Sequence, residues 1–246
     1  MTITREENVF RTGGLQAVLF DAAHTLFDVT PSVGEVYARS ARRYGVDVSG
    51  DRVEALFVKH WHALRRLEPH TLKTSEAQER AWWEGLVRRV FADANPTDAL
   101  QGRFDAFFEE LWQAFAHPDV WHVHDDVVPT LETLHEQGLT CAVVSNWDRR
   151  LHRLVSGMGL DRHFAFVLTS AEAGWRKPDR RIFEDALRRL EVAPGEALHV
   201  GDSLEDDIAG AQAAGIKALL LDRRGKHPKH APRIRSLAEL AGQAKS

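Results

Sequence analysis

Polar side chains that could act together in catalysis follow four separate apolar runs of the sequence. The first run, residues 17–20, leads into Asp21, and the second, residues 139–144, leads into Ser145. Lys177 comes after the third run, within RKPDRRIF, and an acidic cluster comes after the fourth, within GDSLEDD. The full set of candidate residues is Asp21, Thr25, Ser145, Asn146, Lys177, Asp202, Asp206 and Asp207.

These residue types favour chemistry on an anionic group. Any one of them alone could simply cap a helix, because Asp, Ser and Asn are ordinary N-cap residues. Together, Asp21, Asp202 and Asp207 would repel one another at one sheet edge unless a cation lay among them. Oxygen ligands that stay open to water suit Mg²⁺, and a nearby lysine and hydroxyl suit a phosphoryl group bound to that metal.

The pattern of strands and helices explains how these residues could meet. Strand-like runs at residues 139–146, 164–170, 196–202 and 217–222 alternate with amphipathic helical segments. This alternation predicts an α/β fold with a doubly wound, parallel, Rossmann-like sheet, to which the run before Asp21 also belongs. Ligands of such sheets bind at the carboxyl ends of the strands, where the candidate residues lie.

A long helical segment interrupts the α/β pattern. Residues 32–117 show helical periodicity throughout, with aromatic stripes and no strand alternation, and they divide into four helices with breaks near residues 45–50, 68–75 and 94–97. We therefore expect an α/β core domain of residues 1–31 and 119–246 and an inserted, all-helical cap domain of residues 32–118. The crossings near residues 28–32 and 117–124 would be its hinges.

Composition limits the classes of protein that the chain could represent. The net charge of −4 over 246 residues argues against a nucleic-acid or anionic-membrane binder, and no stretch has the apolar length of a membrane span. Cys141 is the only cysteine, so it cannot form an internal disulfide, and the first 14 residues lack the apolar core of a signal peptide. We expect a cytoplasmic monomer or homodimer.

Four strings in the sequence together resemble the motifs of the haloacid dehalogenase (HAD) superfamily. They are FDAAHTLFD, VVSN, RKPDRRIF and HVGDSLEDDIAGAQAAG, and they occur in the family's order. The helical insertion after the first motif is similar to that of the helical-cap subfamily, and SNWDRRL and GDSLE resemble its phosphatase-like branch. The resemblance covers nearly the whole chain and implies hydrolysis of a small phosphorylated compound.

The resemblance also implies roles for individual residues. Asp21 would be the nucleophile that forms a covalent aspartyl intermediate. Thr25 and Ser145 would hydrogen-bond the group that is transferred, and Lys177 would neutralise charge on the nucleophile and the substrate. Asn146 is expected to contact the substrate.

The same resemblance implies a Mg²⁺ site. Asp21, Asp202 and Asp207 would bind the metal together with the backbone carbonyl of Ala23, a role that requires no particular side chain. Asp206 lies next to Asp207, and the sequence leaves open which of these two carboxylates points inward.

The chain departs from the family's phosphatase pattern at Ala23. Phosphatases of the superfamily usually carry a second Asp there, which protonates the leaving alcohol, and such general acid–base help contributes on the order of 10²–10⁴-fold. His24, the next residue, could replace that acid or could merely fill the turn position that glycine usually holds; either way it is expected near the substrate. Efficient hydrolysis of alkyl phosphates is therefore in question.

Ala23 leaves three alternatives to a phosphatase open. A haloacid dehalogenase also lacks the second Asp, but it needs no metal. An enzyme like phosphonoacetaldehyde hydrolase would use a cap lysine, either Lys59 or Lys73, to form a Schiff base. A non-catalytic phospho-ligand binder or interaction protein would keep the site without turnover.

WHVHDD at residues 121–126 offers two histidines and two acids, but no further ligands at zinc-like spacing. We interpret this segment as the return from the cap to the core, with Asp125 as the N-cap of the following helix.

Overall fold

The computed structural model describes residues 14–66, 72–94 and 100–243 of the chain. The expectation that no signal peptide is present concerns mainly residues 1–13, which lie outside the described residues. Parts of two predicted helix breaks, residues 68–71 and 95–97, lie outside them as well.

The strands are short, and most lie where the apolar runs of the sequence predict them. They are β1 (Ala17–Phe20), β2 (Phe27–Val29), β3 (Trp121–Val123), β4 (Thr140–Ser145), β5 (Val167–Thr169), β6 (Ala197–Gly201), β7 (Lys217–Leu221) and β8 (Arg233–Ile234). The run at residues 164–170 forms a strand only over Val167–Thr169, and α7 begins directly after it.

The helices alternate with the strands of the core and fill the insertion. They are α1 (Val33–Arg43), α2 (Gly50–Arg66), α3 (Glu76–Ala94), α4 (Phe104–Ala114), α5 (Val127–Glu136), α6 (Arg150–Gly157), α7 (Ser170–Ala173), α8 (Arg180–Leu190), α9 (Gly210–Ala213) and α10 (Leu237–Gln243). None of these helices, within the described ranges, has both the length and the apolar character of a membrane span.

The predicted doubly wound parallel sheet is confirmed. Among the described residues, six strands form one sheet in the order β5-β4-β1-β6-β7-β8, and every neighbouring pair is parallel. The chain moves from β1 outward through β4 to β5 and then crosses to β6 on the other side of β1. This reversal next to β1 creates a crevice at the carboxyl ends of the central strands.

Alternating side chains of the central strands build an apolar layer on each face of the sheet. Val18 and Phe20 of β1 face one layer, while Leu19 faces the other. The strand β4 does the same, because Cys141 and Val143 face the first layer. The thiol of Cys141 is fully buried, and burial raises its pKa to about 12. Buried on both faces, these strands have the near-continuous apolar sequence of a parallel sheet.

The helices α1–α4 lie between β2 and β3 and pack around a core of their own. Tyr37, Val53, Leu86, Phe91 and Phe107 are buried in this core. The strands β2 and β3 form a two-stranded antiparallel pair at the base of the insertion, with Phe27 opposite Val123. Three-residue strands are too short for alternation to reveal, so the pattern did not predict this pair. The assignment of residues 32–118 as a separate cap domain stays a prediction.

Asp126, rather than the predicted Asp125, occupies the N-cap position of α5, but its side chain does not cap that helix. Its carboxylate instead accepts hydrogen bonds from Arg223 at 2.8 and 2.9 Å, from Ser236 Oγ at 2.6 Å and from the backbone N–H of Leu237 at 2.8 Å. The sequence could not indicate this, because Asp126 and its partners are far apart in the chain. Burial alone would raise the pKa of Asp126, but these donors lower it to about 2.

We expect Asp126→Asn to lower the free energy of unfolding by about 1–2 kcal/mol at pH 7, because it weakens charge-assisted hydrogen bonds. The folded-state pKa of Asp126 lies below the unfolded value, so its contribution is present above about pH 4 and disappears as the pH falls toward 2. Urea unfolding of both proteins from pH 7 to pH 2.5 measures this loss. A difference that does not shrink in acid would contradict the account, and Asp119→Asn, whose side chain is 82% exposed, serves as the control.

Candidate active site

A buried ammonium group lies at the centre of the candidate site. Lys177 Nζ donates to Asp21 Oδ1 at 2.6 Å and to Asp207 Oδ1 at 2.6 Å. The side chain of Lys177 is only 2% exposed. Burial opposes the charged form of this lysine, but the carboxylates of Asp207 and Asp21 outweigh that effect and raise its pKa. Lys177 is therefore a fixed positive charge between two carboxylates that come from different strand ends.

Three carboxylates cluster around this lysine. One oxygen each of Asp21, Asp202 and Asp207 lies within 4.8 Å of the others. Burial, together with the Asp21 and Asp207 carboxylates, raises the pKa of Asp202 to about 7. Burial acts on Asp207 in the same direction, but the Lys177 ammonium outweighs it and lowers the pKa of Asp207. The cluster thus carries more negative charge than one lysine neutralises, and its oxygen donors fit Mg²⁺.

The turn after β1 places Asp21 at the sheet edge. The backbone N–H of Asp21 donates to the carbonyl of Val200 at 2.9 Å, so this residue still belongs to the parallel ladder with β6. The chain then turns tightly, because the N–H of Leu26 returns to the carbonyl of Ala22 at 2.8 Å. Ala23 forms a bridge with Phe27 in this turn, and the role of its carbonyl in metal binding stays a prediction.

The structure decides between the two neighbouring aspartates. Asp207 points into the cluster, whereas both carboxylate oxygens of Asp206 accept hydrogen bonds from Arg65 of α2, at 2.8 and 3.0 Å. The segment Leu204–Ala209 is a π-helical turn that begins at the N-cap Ser203 and continues into α9. Successive side chains of a helical turn point in clearly different directions, which separates the two carboxylates.

Gly201 allows the Asp207 carboxylate to lie directly against the end of β6. A Cβ atom at Gly201 would come within 2.2 Å of Asp207 Cγ and 2.4 Å of its Oδ2. The backbone N–H of Ser203 donates to the same Oδ2 at 2.9 Å. The glycine in HVGD therefore makes room for the acid that follows it six residues later.

Ser145 is the buried last residue of β4, and Asn146 follows it beside the loop that carries Lys177. Asn146 was expected to contact the substrate, but its amide forms a reciprocal pair with the backbone of Lys177. Its Oδ1 accepts from the Lys177 N–H at 2.7 Å, and its Nδ2 donates to the Lys177 carbonyl at 3.0 Å. Asn146 thus holds the lysine loop in place.

Thr25 offers a hydroxyl that suits a ligand. Its side chain is fully buried, and among the described residues its Oγ1 has no hydrogen-bond partner. Buried hydroxyls normally have a partner, so this one is available to a bound group. The carbonyl of Thr25 accepts a hydrogen bond from Arg223 at 2.9 Å, which ties the turn to the Asp126 network.

His24 lies in the same turn with a left-handed backbone, at φ 61°. Its Nδ1 is hydrogen-bonded to Asp28, and this bond raises the pKa of the imidazole. The ring is 56% exposed and lines a cavity of about 410 Å³ that is also lined by Asp202. His24 thus occupies a position that favours glycine and shares this cavity with one acid of the cluster, Asp202.

Among the described residues, Arg65 and His199 are side chains at the site that sequence reasoning missed. Arg65 of the insertion reaches Asp206, as described above, and His199 of β6 lies 2.9 Å from Asp207 through its Nε2. The one signal for His199 was a polar residue in the otherwise apolar strand ALHVG. Arg65 had no comparable signal, because charged residues are common on an exposed helix face.

Comparison with known proteins identifies the family to which this site belongs. Residues 15–215 match the model of the haloacid dehalogenase-like hydrolases. The chain belongs to this family. The matched region contains Lys177 and all three acids of the cluster, and the family's general activity is hydrolysis.

Proteins similar to this HAD-like hydrolase include one named as a phosphatase and one named as a dehalogenase. Haloacid dehalogenase-like hydrolase domain-containing protein 3 of Homo sapiens is 37% identical over 207 residues, covering 84% of this chain and 82% of the human protein. Glyceraldehyde 3-phosphate phosphatase of Methanopyrus kandleri is 31% identical over 225 residues, covering 89% and 88% of the two chains. The crystal structure of 2-haloacid dehalogenase from Pseudomonas syringae pv. Tomato DC3000 has a TM-score of 0.63 at 29% identity, covering 94% and 98%.

Gly201→Ala is expected to destabilise this HAD-like hydrolase by about 1–3 kcal/mol, because the new methyl group must displace the carboxylate that holds Lys177. Urea denaturation of the two proteins measures the change. Gly195→Ala is the matched control, because a Cβ there meets nothing within 4 Å, and surface substitutions of this kind stay within about 0.5 kcal/mol. Equal stability of the two variants would show that Asp207 does not need this space.

Proposed function

We propose that the chain is a Mg²⁺-dependent phosphatase that hydrolyses a small phosphorylated metabolite through an aspartyl-phosphate on Asp21. The observation that carries this proposal is the pairing of Lys177 with both Asp21 and Asp207 at 2.6 Å, inside a cluster of three carboxylates. Similarity to the glyceraldehyde 3-phosphate phosphatase of Methanopyrus kandleri supports the same class of reaction.

In the proposed reaction, each residue of the site has a separate role. The Asp21 carboxylate attacks the phosphorus atom, the bond from phosphorus to the leaving oxygen breaks, and water then hydrolyses the aspartyl-phosphate. Lys177 orients Asp21, and the Thr25 and Ser145 hydroxyls hydrogen-bond the transferred group. Bound Mg²⁺, held by Asp21, Asp202 and Asp207 with the Ala23 carbonyl, would offset negative charge on the phosphoryl oxygens.

The alanine at position 23 shapes the range of substrates. No carboxyl group at this position can protonate the leaving oxygen, so leaving groups that depart as stable anions, such as aryl or acyl phosphates, are favoured. The nearby His24 is engaged with Asp28 through one ring nitrogen.

A haloacid dehalogenase is the second candidate. Halide leaves without protonation, which fits Ala23, and the dehalogenase of Pseudomonas syringae shares the fold. The acidic cluster favours the phosphatase, because an uncompensated group of carboxylates calls for a cation. The phosphonoacetaldehyde hydrolase-like alternative has less support, because the ammonium of Lys59 is 63% exposed and pairs with Asp93 within the insertion, and Lys73 is exposed as well.

We expect p-nitrophenyl phosphate to be hydrolysed in the presence of Mg²⁺ and not in EDTA, because its leaving group needs little protonation. Asp21→Asn should reduce turnover by on the order of 10³-fold or more, because it removes the nucleophile. Asp105→Asn, whose carboxylate is 96% exposed, is the control and should keep wild-type rates. Turnover of 2-chloropropionate in EDTA would favour the dehalogenase, and no turnover of either substrate would favour a binder.

We expect Ala23→Asp to raise the rate of ethyl phosphate hydrolysis by on the order of 10²-fold, because it supplies the missing general acid. The rate with p-nitrophenyl phosphate should change far less, since its leaving group gains little from protonation. Ala23→Asn is the matched control, because it has nearly the same size and cannot protonate the leaving oxygen. Equal changes on both substrates, or the same gain from Asn, would show that position 23 does not limit alkyl phosphate hydrolysis.

A further inference from the structure

His199 is a polar side chain in an apolar layer of the core. It lies on β6, opposite Leu19 of β1 and Ala218 of β7, and it is fully buried. The edge of its ring meets Phe183 of α8, with the ring centroids 5.0 Å apart and an angle of 80° between the planes. An imidazole buried at such a position loses its hydrogen bonds to water, which costs free energy unless protein groups replace them.

The ring has one hydrogen-bond partner among the described residues, and that partner is Asp207. Nε2 lies 2.9 Å from Asp207 Oδ1, whereas the buried Nδ1 has no hydrogen-bond partner in the described part of the chain. Because a carboxylate can only accept, the hydrogen lies on Nε2, and His199 donates it to Asp207. The one hydrogen bond of this side chain is thus donated to a carboxylate of the acidic cluster.

Asp207 is fixed by three donors. Its Oδ1 accepts from Lys177 at 2.6 Å and from His199 at 2.9 Å, and its Oδ2 accepts from the Ser203 N–H at 2.9 Å. Lys177 also holds Asp21, so the orientation of Asp207 determines where the ammonium lies relative to the nucleophile. Without His199, Oδ1 would depend on Lys177 alone, and that lysine is shared.

We propose that His199 is a positioning residue that orients Asp207 for Mg²⁺ binding. This inference rests on the proposed function, because it takes the carboxylate cluster as the metal site. Residues that hydrogen-bond to metal ligands typically change metal affinity by about 10–100-fold when they are replaced. His199 acts on the metal through Asp207 and does not touch the substrate.

Isothermal titration calorimetry with Mg²⁺ alone tests this proposal without relying on turnover. His199→Leu puts an apolar side chain of similar size in its place and removes the donor, so the Kd for Mg²⁺ should rise by about 10–100-fold. His199→Gln keeps an N–H that can reach Asp207, and it should restore most of the wild-type affinity. Rates with p-nitrophenyl phosphate should show the same order, with the loss in His199→Leu reduced at saturating Mg²⁺.

Phe183→Leu separates positioning from packing. It changes the contact behind the imidazole and leaves the hydrogen bond to Asp207, so the Kd for Mg²⁺ should stay near that of the wild type. Thermal melting of all variants without metal verifies that each is folded.

Several results would overturn the proposal. They are an unchanged Kd in folded His199→Leu, an equal loss in His199→Gln, and an equal loss in Phe183→Leu. A wild-type chain that binds no Mg²⁺ would overturn the proposed function as well, which distinguishes that failure from the others.

Discussion

The buried ion pairs of Lys177 are the interaction on which the rest of the site depends. Removing an ammonium group from water costs several kcal/mol, and the cost is offset only when opposite charges meet it in good geometry. Here the two carboxylates follow β1 and β6, while the lysine precedes α8. The ends of these elements must therefore meet within hydrogen-bond distance, which couples correct assembly of the sheet to assembly of the site.

The insertion takes part in holding this lysine. Residues 72–74 run antiparallel to residues 174–176, with the Thr74 N–H donating to Gly174 at 3.0 Å and the Arg176 N–H donating to Leu72 at 2.8 Å. On the core side, Asn146 pairs with the backbone of Lys177. The loop before the lysine is thus fixed both by the residues at the end of β4 and by the segment between α2 and α3, so the two parts of the chain together determine the position of one charge.

The pattern of apolar runs was enough to predict the sheet and the meeting of its polar strand ends, because parallel strands align their carboxyl ends whatever the details of their loops. Three features needed the structure. The inward orientation of Asp207 rather than Asp206 depends on a π-helical turn. Asn146 hydrogen-bonds a loop 31 residues away. Asp126, and not Asp125, is the N-cap residue of α5, and its side chain binds partners from the far end of the chain. The last two depend on contacts between distant residues, and the first depends also on the pairing of Asp206 with Arg65 of the insertion, none of which one sequence reveals.

The central place of β1 in the sheet also constrains the order in which the chain can fold. Ala17 pairs with Thr140 on one side and with Ala197 on the other, so β1 can pair only with residues that lie far downstream in the chain. Closing such long loops costs conformational entropy before the strand contacts that offset this cost have formed, which slows folding of the sheet. The helices α1–α4, by contrast, contact mainly one another, at shorter separations along the chain. During synthesis, the apolar strand that leads into Asp21 thus emerges before the two strands that flank it in the sheet.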